Sequence, residues 1–401
     1  MDKNIKIFSI SGMPVSGKST IVKKMVETFE EKGYNSENIH VVSVGKKFRK
    51  YFNKIMKVAS NIKNEEALKE LSEDNEIKKI FAIPEYRKQI EKNIILLNKA
   101  KFNFDDFDIK KANTSEELAG IRNLIDKIVD DEVKQLGIKL SEKNKKSENE
   151  IWIIDSRLAF NNIPNSYDIR CTVNENVAAK RLMDDKTRGE EDNKYINIED
   201  AKDKVIERTK GEVERYKKEG IDIDDENNFD LIIDTSFSEV GEIVDTIIKG
   251  EEYYREGKDY AKKWTSPKLL LPLQQERETL SKSVNGYDME KMVESIQKNG
   301  YDPSKPIEIF EYDGKKYIYE GHHRNFASAI SGKTLIPYEK VNIPEKEAQK
   351  RADSLNKDYL YGHEELLEKK DENGDSIETF SYDKVYPGIM KELNQKREEE
   401  R

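Results

Sequence analysis

Nine residues, Gly12-Met13-Pro14-Val15-Ser16-Gly17-Lys18-Ser19-Thr20, limit what this chain can fold into more than any others. They satisfy the pattern G-x-x-x-x-G-K-[ST] at every fixed position, and their setting fits it. An apolar run at 5–10 precedes them as a strand, and 21–32 follows as a helix. Glycines let successive backbone N–H groups turn inward around phosphates, and the helix start adds the positive end of its dipole. Lys18 is placed to reach the β- and γ-phosphates and the Ser19 hydroxyl to ligate Mg²⁺. Gly12, Ser16, Gly17, Lys18, Ser19 and Thr20 therefore form the candidate nucleotide-binding set, with ATP and Mg²⁺ as the implied ligands.

A phosphate loop between strand and helix demands an α/β fold, and the apolar runs agree. They lie at 5–10, 39–44, 151–155, 167–173 and 231–234. Near-continuous apolar runs suit strands covered on both faces, as in a five-stranded parallel sheet. The interval of about 61–149 is too long for a crossover helix and reads as a helical insertion, with an amphipathic helix at 116–136. The expected first domain is 1–250. A charged, Tyr-rich helical linker over 251–264 follows, then a small α+β domain over 265–345 and a charged, partly helical tail over 346–401. Within the small domain we expect a helix at 289–298 and a hairpin of 307–312 and 315–319 turned by Asp313-Gly314. A helix at 323–330 and a strand at 335–341 complete it.

Composition narrows the setting. With 401 residues, more than one domain is expected. Charged residues reach 38% against 35% hydrophobic, so large solvated helix faces are expected. A formal net charge of −9 disfavours broad electrostatic binding to duplex nucleic acid, although a local basic patch remains compatible with it. One cysteine excludes an internal disulfide and a thiolate metal cluster, and four histidines leave little for a zinc centre. No apolar run approaches the roughly 20 residues that cross a bilayer. The expectation is a cytoplasmic protein without a membrane partner, its oligomeric state open.

Two arginines follow apolar strands. Arg49 comes after the second and Arg157 after the third, at the carboxyl ends where ligands of parallel sheets bind. Their planar forks suit a phosphate monoester. Asp155 closes an apolar strand and is a candidate holder of a Mg²⁺-bound water. Lys180, Arg181, Lys186 and Arg188 form a basic stretch able to close as a lid. Arg208 and Arg215 stand two turns apart on one helix.

Over about 240 residues these features resemble the P-loop cytidylate kinases of the compact archaeal type. The matching stretches are the loop itself, Gly45-x-x-Phe48-Arg49, Ser156-Arg157-Leu158-Ala159 and Lys186-Thr187-Arg188-Gly189. Ile206-Glu207-Arg208 through Arg215-Tyr216 and Asp230 to Thr235 extend the likeness. It implies ATP-dependent phosphorylation of a nucleoside monophosphate, most simply CMP, dCMP or a related pyrimidine nucleotide. Arg49 and Arg157 would then hold the acceptor phosphate, and Arg188, Arg208 and Arg215 would surround the transferred group. Asp126 and Asp130 match an acidic pair on the acceptor side. Two departures are the long insertion and Ser156 in place of a glycine. A nucleotide-gated switch, or a kinase acting on a modified nucleotide or DNA base, remains an alternative.

A second turn, Glu320-Gly321-His322-His323-Arg324, closes the expected hairpin and opens a helix, a setting suited to an anion. With its flanks over about 267–343, it resembles the ParB/sulfiredoxin-like domain. That resemblance implies phosphate binding by Gly321, His322, His323 and Arg324, with Glu320 as base or metal ligand. By likeness to the serine-kinase members, Glu276 is a second acid, and phosphorylation of a small hydroxylated substrate such as serine is a further alternative. Adjacent histidines on one turn diverge and do not make a metal site.

Overall fold

The protein is described by a computed structural model over residues 5–61, 75–99, 102, 118–143, 149–184, 197–273, 289–355, 367–368 and 379–380. It separates into two compact units, Met1–Ser11 with Phe29–Asp168, and Gly12–Thr28 with Ile169–Arg401.

The first unit carries β1 (Ile5–Gly12), followed along the chain by α1 (Lys18–Glu31), which opens in the second unit. β2 (Ile39–Ser43) and β3 (Glu150–Asp155) complete its strands. β3 lies between β2 and β1 and is parallel to both, pairing Ile7 with Trp152 and Val41 with Ile153. Parallel strands covered on both faces need continuous apolar runs, and Ile5, Ile7, Phe8 and Ile10 are all buried.

The connection from β2 to β3 holds α2 (Val44–Asn61), α3 (Asn75–Phe81), α4 (Pro84–Lys99) and α5 (Ala119–Lys143). On α5, Ile121, Leu124, Ile125, Ile128 and Val129 recur at the i, i+3, i+4 spacing that makes one apolar stripe. They pack on Phe52, Ile55, Ile90 and Ile94 of α2 and α4. Farther along, Val133 and Leu140 of the same helix lie against Ile5, Ile7 and Ile154 of the strands. One helix thus belongs to both the insertion and the sheet. A short helix, α6 (Ala159–Asn162), follows β3.

The second unit continues from β4 (Tyr167–Thr172) through α7 (Glu175–Asp184), α8 (Ile198–Lys218), β5 (Leu231–Asp234) and α9 (Val240–Glu256). Then come β6 (Lys263–Thr265), β7 (Leu270–Leu271), α10 (Met289–Asn299), β8 (Ile307–Tyr312) and β9 (Lys315–Glu320). α11 (His322–Ile330), β10 (Ile336–Lys340) and α12 (Glu345–Leu355) follow. Its strands run in the order β4-β5-β6-β10-β8-β9-β7. β6 is parallel to β5 on one side and antiparallel to β10 on the other. The sheet therefore goes on beyond β5 without a break.

Residues 251–264 hold the last turns of α9 and most of β6. Glu251 is buried and paired with Arg255, and Tyr260 stacks between Tyr253 and Trp264 at 5.2 and 5.3 Å. Asp313 and Gly314, at φ 48° and 71°, make the tight turn between β8 and β9, since both central residues of such a turn need positive φ. The tail expected at 346–401 begins with α12. Beyond residue 355 only two residue pairs are described, the antiparallel strands β11 (Leu367–Glu368) and β12 (Thr379–Phe380).

Candidate functional site: a phosphate loop and its half-buried arginine

The second unit contains the loop of residues 12–20. Gly12 has φ 148°, and a Cβ there would sit 2.2 Å from the Cys171 carbonyl oxygen, so no side chain fits. The Met13 N–H donates to that carbonyl at 3.3 Å, tying the loop to β4. Val15 adopts φ 62°, a region costly for a β-branched residue, and Gly17 at φ 78° leads into α1. Lys18 folds back over the loop. Its Nζ donates to the carbonyls of Gly12 at 2.9 Å and Met13 at 2.8 Å, and lies 3.3 Å from Ser16 Oγ. Ser16 is buried and donates to the Met13 carbonyl at 2.8 Å, while Ser19 and Thr20 stand exposed at the helix start. The first amides of a helix have no intrahelical acceptor. A glycine-lined loop, a helix start and a lysine within it fit a polyphosphate, with Ser19 as the hydroxyl that would ligate Mg²⁺.

Arg181, near the end of α7, sits beside this loop. Its Nη1 would be 3.7 Å from a Cβ at Gly17. Nη1 donates to Thr235 Oγ1 at 3.2 Å, and Nη2 to the Thr235 carbonyl at 2.6 Å and the Ser236 carbonyl at 3.4 Å. Burial pulls the guanidinium below the usual arginine value, and the Asp234 carboxylate works against that shift. Thr235 Oγ1 also lies 3.0 Å from the Ser16 carbonyl, joining the end of β5 to the phosphate loop. Asp234 accepts from both the amide and the hydroxyl of Ser236. Sequence reasoning grouped Arg181 with a mobile lid. Its burial depends on packing of α7 through Val177, Ala178 and Leu182, and that apolar spacing was the available signal.

The remaining expected arginines have other surroundings. Arg208 pairs with Glu212 one turn on, and Arg215 lies 4.5 Å over the Tyr216 ring, donating to its hydroxyl at 2.6 Å. Arg188 lies outside the described residues, as does Glu276.

In the first unit, Asp155 accepts from Ser43 Oγ at 3.0 Å, linking the ends of β3 and β2. Ser11 Oγ donates to the Ser156 carbonyl at 2.8 Å, fixing the turn that carries half-buried Arg157. Arg49 is exposed on α2, its Nη1 3.6 Å from where a Gly45 Cβ would be. Asp126 and Asp130 are half-buried on α5. Just beyond them, Glu132 accepts from Lys47 Nζ and Tyr51 Oη, both at 2.7 Å, and Asp131 accepts from Tyr86. Burial, then the Asp131 hydrogen bond and charge, push the Tyr86 phenol well above its ordinary value. Lys47, Tyr51, Tyr86 and Glu132 were not singled out from sequence, because their meeting depends on three helices packing together.

At the second turn, Gly321 has φ 103° and a Cβ would lie 3.0 Å from Ile307 Cδ1. His322 is buried, and its Nε2 accepts from the Leu273 N–H at 3.0 Å. Burial, assisted by neighbouring His323, brings its pKa down to about 4. Arg324 Nη1 donates to the carbonyls of Lys305 at 2.7 Å and Pro306 at 3.0 Å. Glu320 is exposed and His323 half-buried. Among the described residues, no group of three or more His, Cys, Asp or Glu side chains is placed to hold a metal, and no helix is long and apolar enough to cross a membrane.

Comparison with known families matches residues 1–101 to the NB-ARC domain, a P-loop NTPase family. Comparison with curated proteins gives no match. The loop geometry and the family match agree on the coarse conclusion: the N-terminal part of this chain is of the P-loop NTPase type, an α/β nucleotide-binding fold.

Proposed function

We propose that the chain is a P-loop phosphotransferase that takes ATP with Mg²⁺ at residues 12–20 and phosphorylates a nucleoside monophosphate, in the first instance CMP or dCMP. The observation that carries this reading is the second cation at the loop, Arg181 beside Gly17. Phosphoryl transfer is largely positioning and charge neutralisation, with no covalent intermediate required. Bound ATP supplies the transferable phosphoryl group, and Mg²⁺ neutralises charge on it. Lys18 binds and orients the phosphates from one side, and Arg181 offers a guanidinium from the other. Lys186 and Arg188, which follow α7 in the sequence and lie outside the described residues, are proposed to belong to a basic lid that excludes water. Arg208 and Arg215 are proposed to join it, and Arg49 and Arg157 to take the acceptor phosphate, with Asp126 and Asp130 on the acceptor side. Asp155 is proposed to hold a Mg²⁺-bound water.

The test is transfer of labelled γ-phosphate from ATP to a panel of CMP, dCMP, UMP, AMP and GMP. A labelled diphosphate, abolished by Lys18→Ala, is expected. Activity unchanged in Lys18→Ala, or no labelled product with any acceptor, rejects the kinase. A second reading, a nucleotide-gated switch, is favoured by the NB-ARC match over residues 1–101. Tight ATP binding with slow hydrolysis and no transfer would select it.

A further inference from the structure

In the second unit a short segment, residues 234–242, runs from the phosphate loop to the turn before β10. Phe237 packs into the apolar cluster of α7 and α8, and the polar anchors are hydrogen bonds and one ion pair. At the loop end, Thr235 Oγ1 meets the Ser16 carbonyl, and Arg181 occupies the carbonyls of Thr235 and Ser236. At the far end the segment grips Thr334, between α11 and β10, by all of its polar groups. Ser238 Oγ donates to the Thr334 carbonyl at 2.9 Å, and the Glu239 N–H donates to Thr334 Oγ1 at 2.8 Å. The Glu242 carboxylate accepts from the Thr334 amide and hydroxyl, both at 2.8 Å, and from Lys333 Nζ at 3.1 Å. Lys333 in turn donates its amide to the Ser328 carbonyl of α11 at 3.0 Å.

We infer that residues 234–242 are a relay through which phosphate at the loop loosens the turn at Lys333–Thr334. The differential contact is Arg181. Its guanidinium is spent on neutral carbonyls, yet it stands within reach of any phosphate cradled at Gly17. The guanidinium donor is charged in either case, but a phosphate adds a full opposite charge and a bidentate fit, so an anionic phosphate outcompetes the two carbonyls for it. Withdrawal of Arg181 removes its bonds to the carbonyls of 235 and 236 and leaves those residues on the Thr172 carbonyl, the Asn174 amide and Asp234. Ser238, two residues on, is one of the grips on Thr334. The two states are thus guanidinium on carbonyls and guanidinium on phosphate, and a ligand that binds them unequally shifts the population. The inference rests on nucleotide binding at residues 12–20, though not on phosphoryl transfer.

The experiment is hydrogen exchange on the full chain with and without AMP-PNP and Mg²⁺, resolving peptides over 12–21 and over 326–338. Slower exchange at 12–21 and at least about threefold faster exchange of the Lys333 and Thr334 amides are expected. Ser238→Ala and, as a second variant, Thr334→Val should exchange fast at 333–334 before nucleotide is added and show no further change on binding. Protection at 12–21 with 326–338 unchanged in the unmodified chain overturns the relay, as does a full response retained in both variants. No protection at 12–21 at any nucleotide concentration overturns nucleotide binding itself, and the relay with it.

Discussion

The Lys18 ammonium serves the loop before it serves a ligand. Three loop oxygens hold it, so its removal takes away both a phosphate contact and an internal brace. Lys18→Ala is expected to weaken ATP binding by on the order of 10²-fold, read by titration calorimetry. Gly12 is bound as tightly by sterics: with a would-be Cβ 2.2 Å from a backbone oxygen, Gly12→Ala must displace β4 or the loop. His322 supplies a pH test. Its folded pKa of about 4 lies below the ordinary 6.5, so the folded state resists the proton. The stabilisation is complete above about pH 6.5 and is lost as the pH falls toward about 4. By pH 5 the loss amounts to about 2 kcal/mol. His322→Gln keeps an acceptor oxygen and removes the titration. The difference between the two proteins in urea unfolding should therefore shrink between pH 7.5 and pH 5, and a constant difference would contradict the buried, neutral imidazole.

Among the elements, α5 reverses an ordinary propensity rule. Gly137 lies inside this helix, where alanine is normally better by about 1 kcal/mol. A Cβ there would meet the Asn162 carbonyl oxygen at 2.3 Å, and backbone cannot yield as a side chain can. Gly137→Ala should instead destabilise by about 1–3 kcal/mol, seen as a lower urea midpoint with unchanged slope. At the start of α9, Glu242→Ala leaves the Thr334 amide without its acceptor, and a loss of about 1–2 kcal/mol is expected because the carboxylate is partly solvated. Most elements were readable in the sequence because their signals are local. The runs at 5–10, 151–155 and 231–234 are mostly apolar, and Asp313-Gly314 announces its turn. β6 and β7 were not readable, being three and two residues long, too short to show a period. The pattern of the phosphate loop was legible, whereas the position of Arg181 beside it was not. Its contacts come from the end of β5, 54 residues away.

At the scale of the whole molecule, what sequence could not supply is the pairing order of the second unit's sheet. Composition shifts after residue 249, and the change reads naturally as a linker. Strand pairing is a long-range property, however, and β6 reaches its neighbour β10 across about seventy residues of chain. β6 therefore has two jobs. It completes the parallel set of β4 and β5, and it presents the antiparallel edge on which β10, β8, β9 and β7 are laid. Trp264 is buried on it beside Tyr260 and Tyr253, fastening the strand to α9. A chain ending at residue 264 would keep α9 but would lose β10, whose Pro337 is paired with Trp264. It would open an apolar edge beside β5, which invites association. Such a truncated chain is expected to melt at least about 5 °C below the full chain, or to associate at micromolar concentration. Thermal unfolding and sedimentation velocity read the two outcomes. A monomer that melts with the full chain would show that the strands beyond β6 add nothing to the stability of β4 and β5.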